Sequence, residues 1–276
     1  MVQLGRLEFD GPAVMGVLNI TPDSFSDGGR FVALDDALQQ AEKMAAQGAA
    51  IIDVGGESTR PGAPAVDAQE ELDRVIPVIE ALAGRLDVPI SIDTGKPAVM
   101  RAAVAAGVSM INDVFALQAD GALEAAAALQ QPVCLMHMQG QPQTMQQNPH
   151  YDDVVAEVTQ FLRERVAQCV AAGLAEELIV VDPGFGFGKS AAHNIELLAN
   201  LRQLQKLGRP VLIGVSRKAT LGAITGREVD ARLPASIAAA VLAVGQGADI
   251  IRAHDVGATV DALKVAKTVI ESGNPK

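Results

Sequence analysis

The chain has 276 residues, with 33 Asp and Glu against 22 Lys and Arg, a formal net charge of −11. That balance argues against nucleic acid or an anionic membrane as the main partner, and an anionic substrate would need a local basic pocket. Hydrophobic residues make up 49% of the chain and aromatic ones only 3%, so the core must be Ala, Val, Ile and Leu, the composition of a parallel sheet under close-packed helices.

Residues 1–13 lack a basic start followed by an apolar core, which argues against a signal peptide. No run of about 18 apolar residues exists to span a membrane. Cys134 and Cys169 read as buried free thiols of a reducing compartment, at a spacing that suits no metal site. The expectation is a cytoplasmic, single-domain protein over 1–276, with 1–13 as a lead-in and the folded body at about 14–271.

A first strand is predicted at 14–19, followed by a long loop through Gly29 that carries Pro22, Phe25 and glycines. Helical spacing over 34–47 stops at Gly48. The second strand, 50–54, is an apolar β-branched run that breaks into Glu57, Ser58, Thr59 and Arg60 before Pro61-Gly62. A helix at 66–86, a strand at 90–93, a helix at 97–106, a strand at 110–114 and an Ala-rich helix at 121–129 come next. The fifth strand is 133–138; the polar stretch 139–150 is an excursion loop, and 151–172 is the longest helix. Strand six at 178–182 leads through a glycine-rich loop to a helix from 193 to about 207. Strand seven at 211–216 precedes a helical stretch to 244 interrupted near Gly226, and strand eight at 249–253 is closed by a helix through 270. Eight strand–helix units in a chain near the ~250 residues of a barrel point to the α/β class and a (β/α)8 TIM barrel, with an open doubly wound sheet as the alternative.

Such a barrel gathers its strand tips into one ring: Asn19, Asp53, Asp93, Asn112, His137, Asp182, Ser216 with Lys218, and Arg252 with His254. Any one of them alone reads as a helix cap or a solvated side chain. Together they suggest a cup for a flat, polar ligand. Asp93, Asn112, Asp182 and Lys218 suit a heterocycle with adjacent N–H groups, because a carboxylate accepts two parallel N–H bonds. Arg252 and His254 follow the last strand, where barrels commonly hold phosphate, and the helix opening near Gly257 adds to that field. The segment from Pro183 to Ser190 is neither a P-loop, since Pro183 stands where its first Gly is needed, nor a dinucleotide fingerprint, since Lys189 replaces the last Gly. It reads as a loop of close ligand approach, with Phe185 or Phe187 offering an aromatic face. His137 and His150 lack partners at ligand spacing and are given structural roles.

The stretches VMGVLNITPDSFSDGG, DVGGESTRPG, SIDTGK, MINDV, DPGFGFGK, GVSRK and IRAHD, in this order, closely resemble the bacterial dihydropteroate synthase family. Some are shared with pterin-binding methyltransferases built on the same barrel, the nearest rival reading; a barrel that binds pterin without catalysis is a further one. The resemblance implies a transferase that joins 6-hydroxymethyl-7,8-dihydropterin diphosphate to p-aminobenzoate, assisted by Mg2+, in a homodimer. It assigns pterin contacts to Asp93, Asn112, Met136, Asp182, Phe187 and Lys218, and the Mg2+ ligand to Asn19. Diphosphate would be held by Asn19, Thr59, Arg252, Ala253 and His254. Phe25, Thr59, Arg60, Pro61, Phe187, Lys218 and Thr220 would surround the aminobenzoate. Asn19, Asp27, Arg60, Lys218, Arg252 and His254 would carry the catalysis. One departure is Ala219, where many relatives have a Ser after the SRK lysine to meet the aminobenzoate carboxylate; backbone N–H groups or Thr220 would replace it.

Overall fold

A computed structural model describes residues 2–20, 29–59 and 62–273. The apolar runs become eight parallel strands: β3 (Ala13–Asn19), β4 (Ile51–Gly55), β5 (Ile90–Asp93), β6 (Met110–Asp113), β7 (Val133–Met136), β8 (Ile179–Asp182), β9 (Leu212–Ile213) and β10 (Ile250–Ala253). They pair in the order β8-β7-β6-β5-β4-β3-β10-β9. A parallel bridge between Val181 and Val211 joins the two ends and closes the barrel. Around it lie α1 (Gly29–Ala46), α2 (Ala68–Ala83), α3 (Pro97–Ala105), α4 (Ala122–Leu129), α5 (Val154–Ala171), α6 (Ala191–Ala199), α7 (Arg202–Gln205), α8 (Ala219–Thr225), α9 (Leu233–Gly245) and α10 (Val256–Gly273).

Strand register decides which side chains meet inside. Met15 pairs with Ile51, Cys134 with Val180, and Ile250 with Leu212. With Ala13 and Met110 these residues form an apolar plug in the lower barrel. Side chains alternate along a strand, so residues two positions further on face the same interior one layer higher. Those residues are Asp53, Asn112, Met136, Asp182 and Arg252, joined by Asp93 two places after Ser91. The intervening Ile52, Ile92, Ile111, Leu135, Val181, Ile213 and Ile251 pack outward against the helices. The inner face is thus apolar below and mostly polar in its upper layer, where Val17, Met136 and Gly214 are the exceptions; Ser91 is a buried polar residue lower down, and Asp113 has the outward parity of Ile111.

The lead-in is itself structured. β1 (Val2–Leu4) and β2 (Leu7–Phe9) form an antiparallel hairpin around Gly5, whose φ of 57° favours glycine and where a methyl would fall 2.5 Å from Leu178 Cδ2. Val2, Leu4 and Phe9 join the interior cluster and close the barrel floor. Two other elements differ from expectation. The helix expected from 193 to about 207 is divided into α6 and α7, with Asn200 capping the first. β9 keeps only two residues, because the chain turns aside at Gly214 toward Arg217, which has a φ of 58°. No helix among the described residues is long and apolar enough to cross a membrane. Cys134 and Cys169 are both free and buried.

Leu4 is fully buried in the floor. Leu4→Ala should cost about 2–4 kcal/mol of stability in urea denaturation; a loss below about 0.5 kcal/mol, typical of a surface change, would show that the hairpin does not seal the core.

Candidate active site

The inner tips converge on one guanidinium. Arg252 Nε donates to Asp53 Oδ2 at 2.7 Å and Nη2 to Asp93 Oδ2 at 2.8 Å. Asn112 Nδ2 also donates to Asp53 Oδ2, at 3.0 Å. Burial opposes the charge on Arg252, but Asp53 and Asp93 outweigh it and keep the group firmly protonated. Asn19, half-buried, stands beside Asp93: a methyl on Gly55 would lie 3.7 Å from Asn19 Oδ1 and 3.9 Å from Asp93 Oδ2. Sequence reasoning gave Arg252 to an anionic ligand; in the structure its Nε and Nη2 are held by buried carboxylates. Asp53 is thus the counter-ion of Arg252, a role its position at a strand tip did not disclose.

Across the mouth, Asp182 Oδ1 accepts the Gly184 N–H at 2.7 Å. Met136 is its neighbour in strand register. Lys218 Nζ lies 4.1 Å from the centre of the Phe187 ring, a cation–π contact. Phe185 is buried in the core, so Phe187 alone of the two offers its face. Burial pushes the Asp182 carboxyl up to about 6, against the Gly184 bond and Lys218. Burial raises Asp93 to about 7, outweighing Arg252, with Asp53 adding to the rise. Burial and then Arg252 bring the Lys218 ammonium down to about 8.

The SRK and RAHD segments interlock. Ser216 Oγ accepts the His254 backbone N–H at 3.2 Å and lies 3.0 Å from His254 Nδ1. Burial and the charge of Arg252 lower His254 to about 4, so the ring is neutral at pH 7. One hydrogen lies between Oγ and Nδ1; with the serine hydroxyl as its donor, Nε2 carries the ring N–H. Arg217 holds Asp255 through Nε and Nη2 at 3.0 and 2.7 Å, and its backbone N–H donates to Ser236 Oγ at 2.9 Å. These bonds fix the left-handed Arg217 and hence the course of the chain into Lys218. Two further residues expected in the mouth have side-chain partners of their own. Ala253 packs outward in the strand–helix core, and Thr220, buried, accepts from Asn194 Nδ2 at 3.0 Å.

The second loop is pinned from below. Lys96 Nζ donates to both Glu57 Oε2 and Glu71 Oε2, and Glu57 Oε1 accepts the Val66 N–H at 3.2 Å. A cavity of about 480 Å3 opens above this pin, lined by Glu57, Thr59, Asp93, Lys96, Phe115 and Met138 among others. Phe25, Asp27, Arg60 and Pro61, also expected here, lie outside the described residues. His137 pairs with Lys189 rather than a metal, and His150 is exposed beside Asp152. Among the described residues no three His, Cys, Asp or Glu side chains are grouped to hold a metal by themselves. A second groove, about 630 Å3 between α5 and α6–α7, is lined by Arg163, Glu196 and Lys206 and holds none of the strand tips.

A closed barrel with a polar heterocycle-sized mouth is the setting in which the relatives of this chain become informative. Residues 15–254 match the family described as pterin binding enzyme, and the chain belongs to that family. It is 54% identical over 259 residues to the dihydropteroate synthase of Haemophilus influenzae, covering 94% of each chain. A structure of the Xanthomonas albilineans dihydropteroate synthase with 4-aminobenzoic acid superposes with a TM-score of 0.90 at 55% identity, covering 95% of this chain and 94% of that one. Another from the same organism, in complex with 7,8-dihydropteroate, gives 0.87 at 51% identity, covering 96% and 97%. Within the pterin-binding enzymes the chain stands with the dihydropteroate synthases, and it is an enzyme of that kind.

Lys96→Met would leave Glu71, which has no exposed surface, without its counter-ion. Stability in urea should fall by about 3 kcal/mol, and Lys96→Met combined with Glu71→Leu should recover most of it. A single-variant loss under about 1 kcal/mol would mean that the pin is a solvent-screened surface pair.

Proposed function

We propose that this enzyme condenses 6-hydroxymethyl-7,8-dihydropterin diphosphate with p-aminobenzoate, giving 7,8-dihydropteroate and diphosphate. The observation that carries the reading is the slot formed by Asp93, Asn112, Met136, Asp182 and Lys218 at one barrel mouth, with Phe187 as its face. Asp182 and Asp93 accept the N–H edge of the pterin, Asn112 presents its amide, and Lys218 donates to a ring acceptor. The binding of 4-aminobenzoic acid and of 7,8-dihydropteroate in two structures of the Xanthomonas albilineans dihydropteroate synthase supports both halves of the reaction.

In the reaction the C–O bond of the pterin methylene breaks with its electrons leaving on diphosphate, and the aniline nitrogen forms the new C–N bond and sheds a proton to water. An aniline is neutral near pH 7, so it requires no strong base. Cleavage then runs ahead of attack, and the site's task is to stabilise the departing charge. Asn19 offers a hard amide oxygen beside Asp93, a donor set that suits Mg2+ only when the substrate's own phosphate oxygens complete it. Bound there, Mg2+ would neutralise charge on the leaving diphosphate. His254 donates through Nε2, Thr59 lines the approach from the second loop, and Arg252 contributes its field from behind Asp53 and Asp93. Asp27, Arg60, Phe25 and Pro61, outside the described residues, are assigned to the aminobenzoate side by the family resemblance. The aminobenzoate carboxylate meets backbone N–H groups after Lys218 or the Thr220 hydroxyl, which accepts from Asn194 and keeps its own hydrogen to donate. The exposed Leu242, Val265 and Val269 on α9 and α10 support a homodimer. The two free thiols support a cytoplasmic location.

The direct test is aminobenzoate-dependent release of diphosphate from the pterin diphosphate with Mg2+ present; folded protein that releases none refutes the reading. The acid groups add a pH signature. Ionised Asp182 and Asp93 accumulate as pH rises through about 6 and about 7, and the Lys218 cation is lost above about 8. Pterin affinity by calorimetry should therefore climb from pH 5 to 7 and decline beyond 8, and Asp182→Asn should weaken it by about 1.5–3 kcal/mol while flattening the acid limb. An unchanged affinity would remove Asp182 from the slot.

A further inference from the structure

We propose that Lys189 is a positioning residue for the pterin slot: its buried ammonium gathers the carbonyls of the glycine-rich loop 183–188 and so sets Phe187 and the Gly184 N–H against the ligand. This rests on the reading of the slot given above. Lys189 is 2% exposed. Its Nζ lies 2.9 Å from His137 Nδ1, 3.0 Å from Gly184 O, 3.0 Å from Phe187 O and 3.3 Å from His137 O. Three N–H bonds satisfy the three short contacts and leave a longer, shared fourth. Burial and the Lys189 charge push His137 down to about 3, so its Nδ1 is a free lone pair for the ammonium.

The loop cannot hold this shape through side chains of its own. A methyl on Gly184 would fall 1.8 Å from His137 O, and one on Gly188 2.2 Å from Gln139 O; both residues have positive φ. Backbone thus lies directly on backbone; inside the loop the Phe187 N–H donates to Gly184 O at 3.0 Å, a carbonyl it shares with Lys189, and the remaining polar groups find partners from outside. The Gly186 N–H goes to Asn194 Oδ1 at 2.7 Å, Gly186 O takes Gln146 Nε2 at 2.7 Å, and Gly188 O takes Tyr151 OH at 2.9 Å. Gly184 O and Phe187 O fall to Lys189. The two residues that reach the slot, Gly184 through the Asp182 bond and Phe187 beneath Lys218, are the two whose carbonyls the ammonium holds. Asp182 and Lys218 are the charged groups facing it: burial, with Lys218 adding to it, brings the Lys189 ammonium down to about 7 against the pull of Asp182, so its hold on the carbonyls is fullest below pH 7, and its charge in turn lowers the Asp182 carboxyl.

The test compares wild type with Lys189→Met, which keeps the apolar stem and deletes the ammonium. In ligand-free protein, amide exchange across 184–188 should quicken about 10-fold while the barrel strands stay protected. In turnover, the KM for pterin diphosphate should rise about 10-fold with kcat changed less than about 3-fold. The acid limb of pterin binding should move to higher pH, because Asp182 loses a neighbouring cation. Lys189→Gln, which retains two N–H donors, should shift all three in the same direction by less, and it decides the matter if Lys189→Met does not fold. Exchange across 184–188 at the wild-type rate in a folded variant overturns the proposal, as does a fall in kcat with KM unchanged. The exchange measurement needs no substrate, so it stands even if wild type releases no diphosphate.

Discussion

A single cation spanning the barrel mouth organises everything near it. Arg252 approaches Asp53 across 199 residues of sequence and Asp93 across 159, so these contacts exist only once the sheet has closed. Replacing a buried charge cluster of this kind with apolar packing is often neutral or stabilising, which makes stability a weak reason for its presence. Its effect is on shape and field. It locks the tips of β4, β5 and β10 together and leaves the opposite wall, Asp182 with Lys218, to face an incoming ring.

The polar layer is tolerable because of what lies beneath it. The apolar plug built around Met15, Ile51, Met110 and Ile250 carries the folding free energy of the interior. The inner tips are thereby free to be chosen for chemistry rather than packing. Supports then arrive from neighbouring loops: Lys96 under the second loop, Lys189 under the glycine-rich loop, and Asp255 beside Arg217. In each case a charged group fixes a segment that borders the candidate site, an arrangement that keeps a loop-built site in geometry.

The barrel was legible because each strand carried an apolar run ending in a polar residue at helix-separated intervals, and Asp93, Asn112, Asp182 and Lys218 follow directly from that pattern. The hairpin was passed over because three-residue strands are too short for a period to declare itself, although Val2, Leu4, Leu7 and Phe9 do alternate around Gly5-Arg6. Partner choice was the larger gap. Sequence could place Arg252 at a tip but not say that carboxylates already hold it there, nor that Thr220 turns its hydroxyl to Asn194 while Ala253 faces the helices. Lys189 stood out only as the residue that spoiled a motif. Its value becomes visible once the carbonyls around it are known.

The sealed floor has a bearing on traffic. With Val2, Leu4 and Phe9 stoppering one end of the interior, the layer that holds Asp93 and Asp182 rests on a solid base, so among the described residues its polar groups can meet a visitor from the strand-tip side and not from beneath.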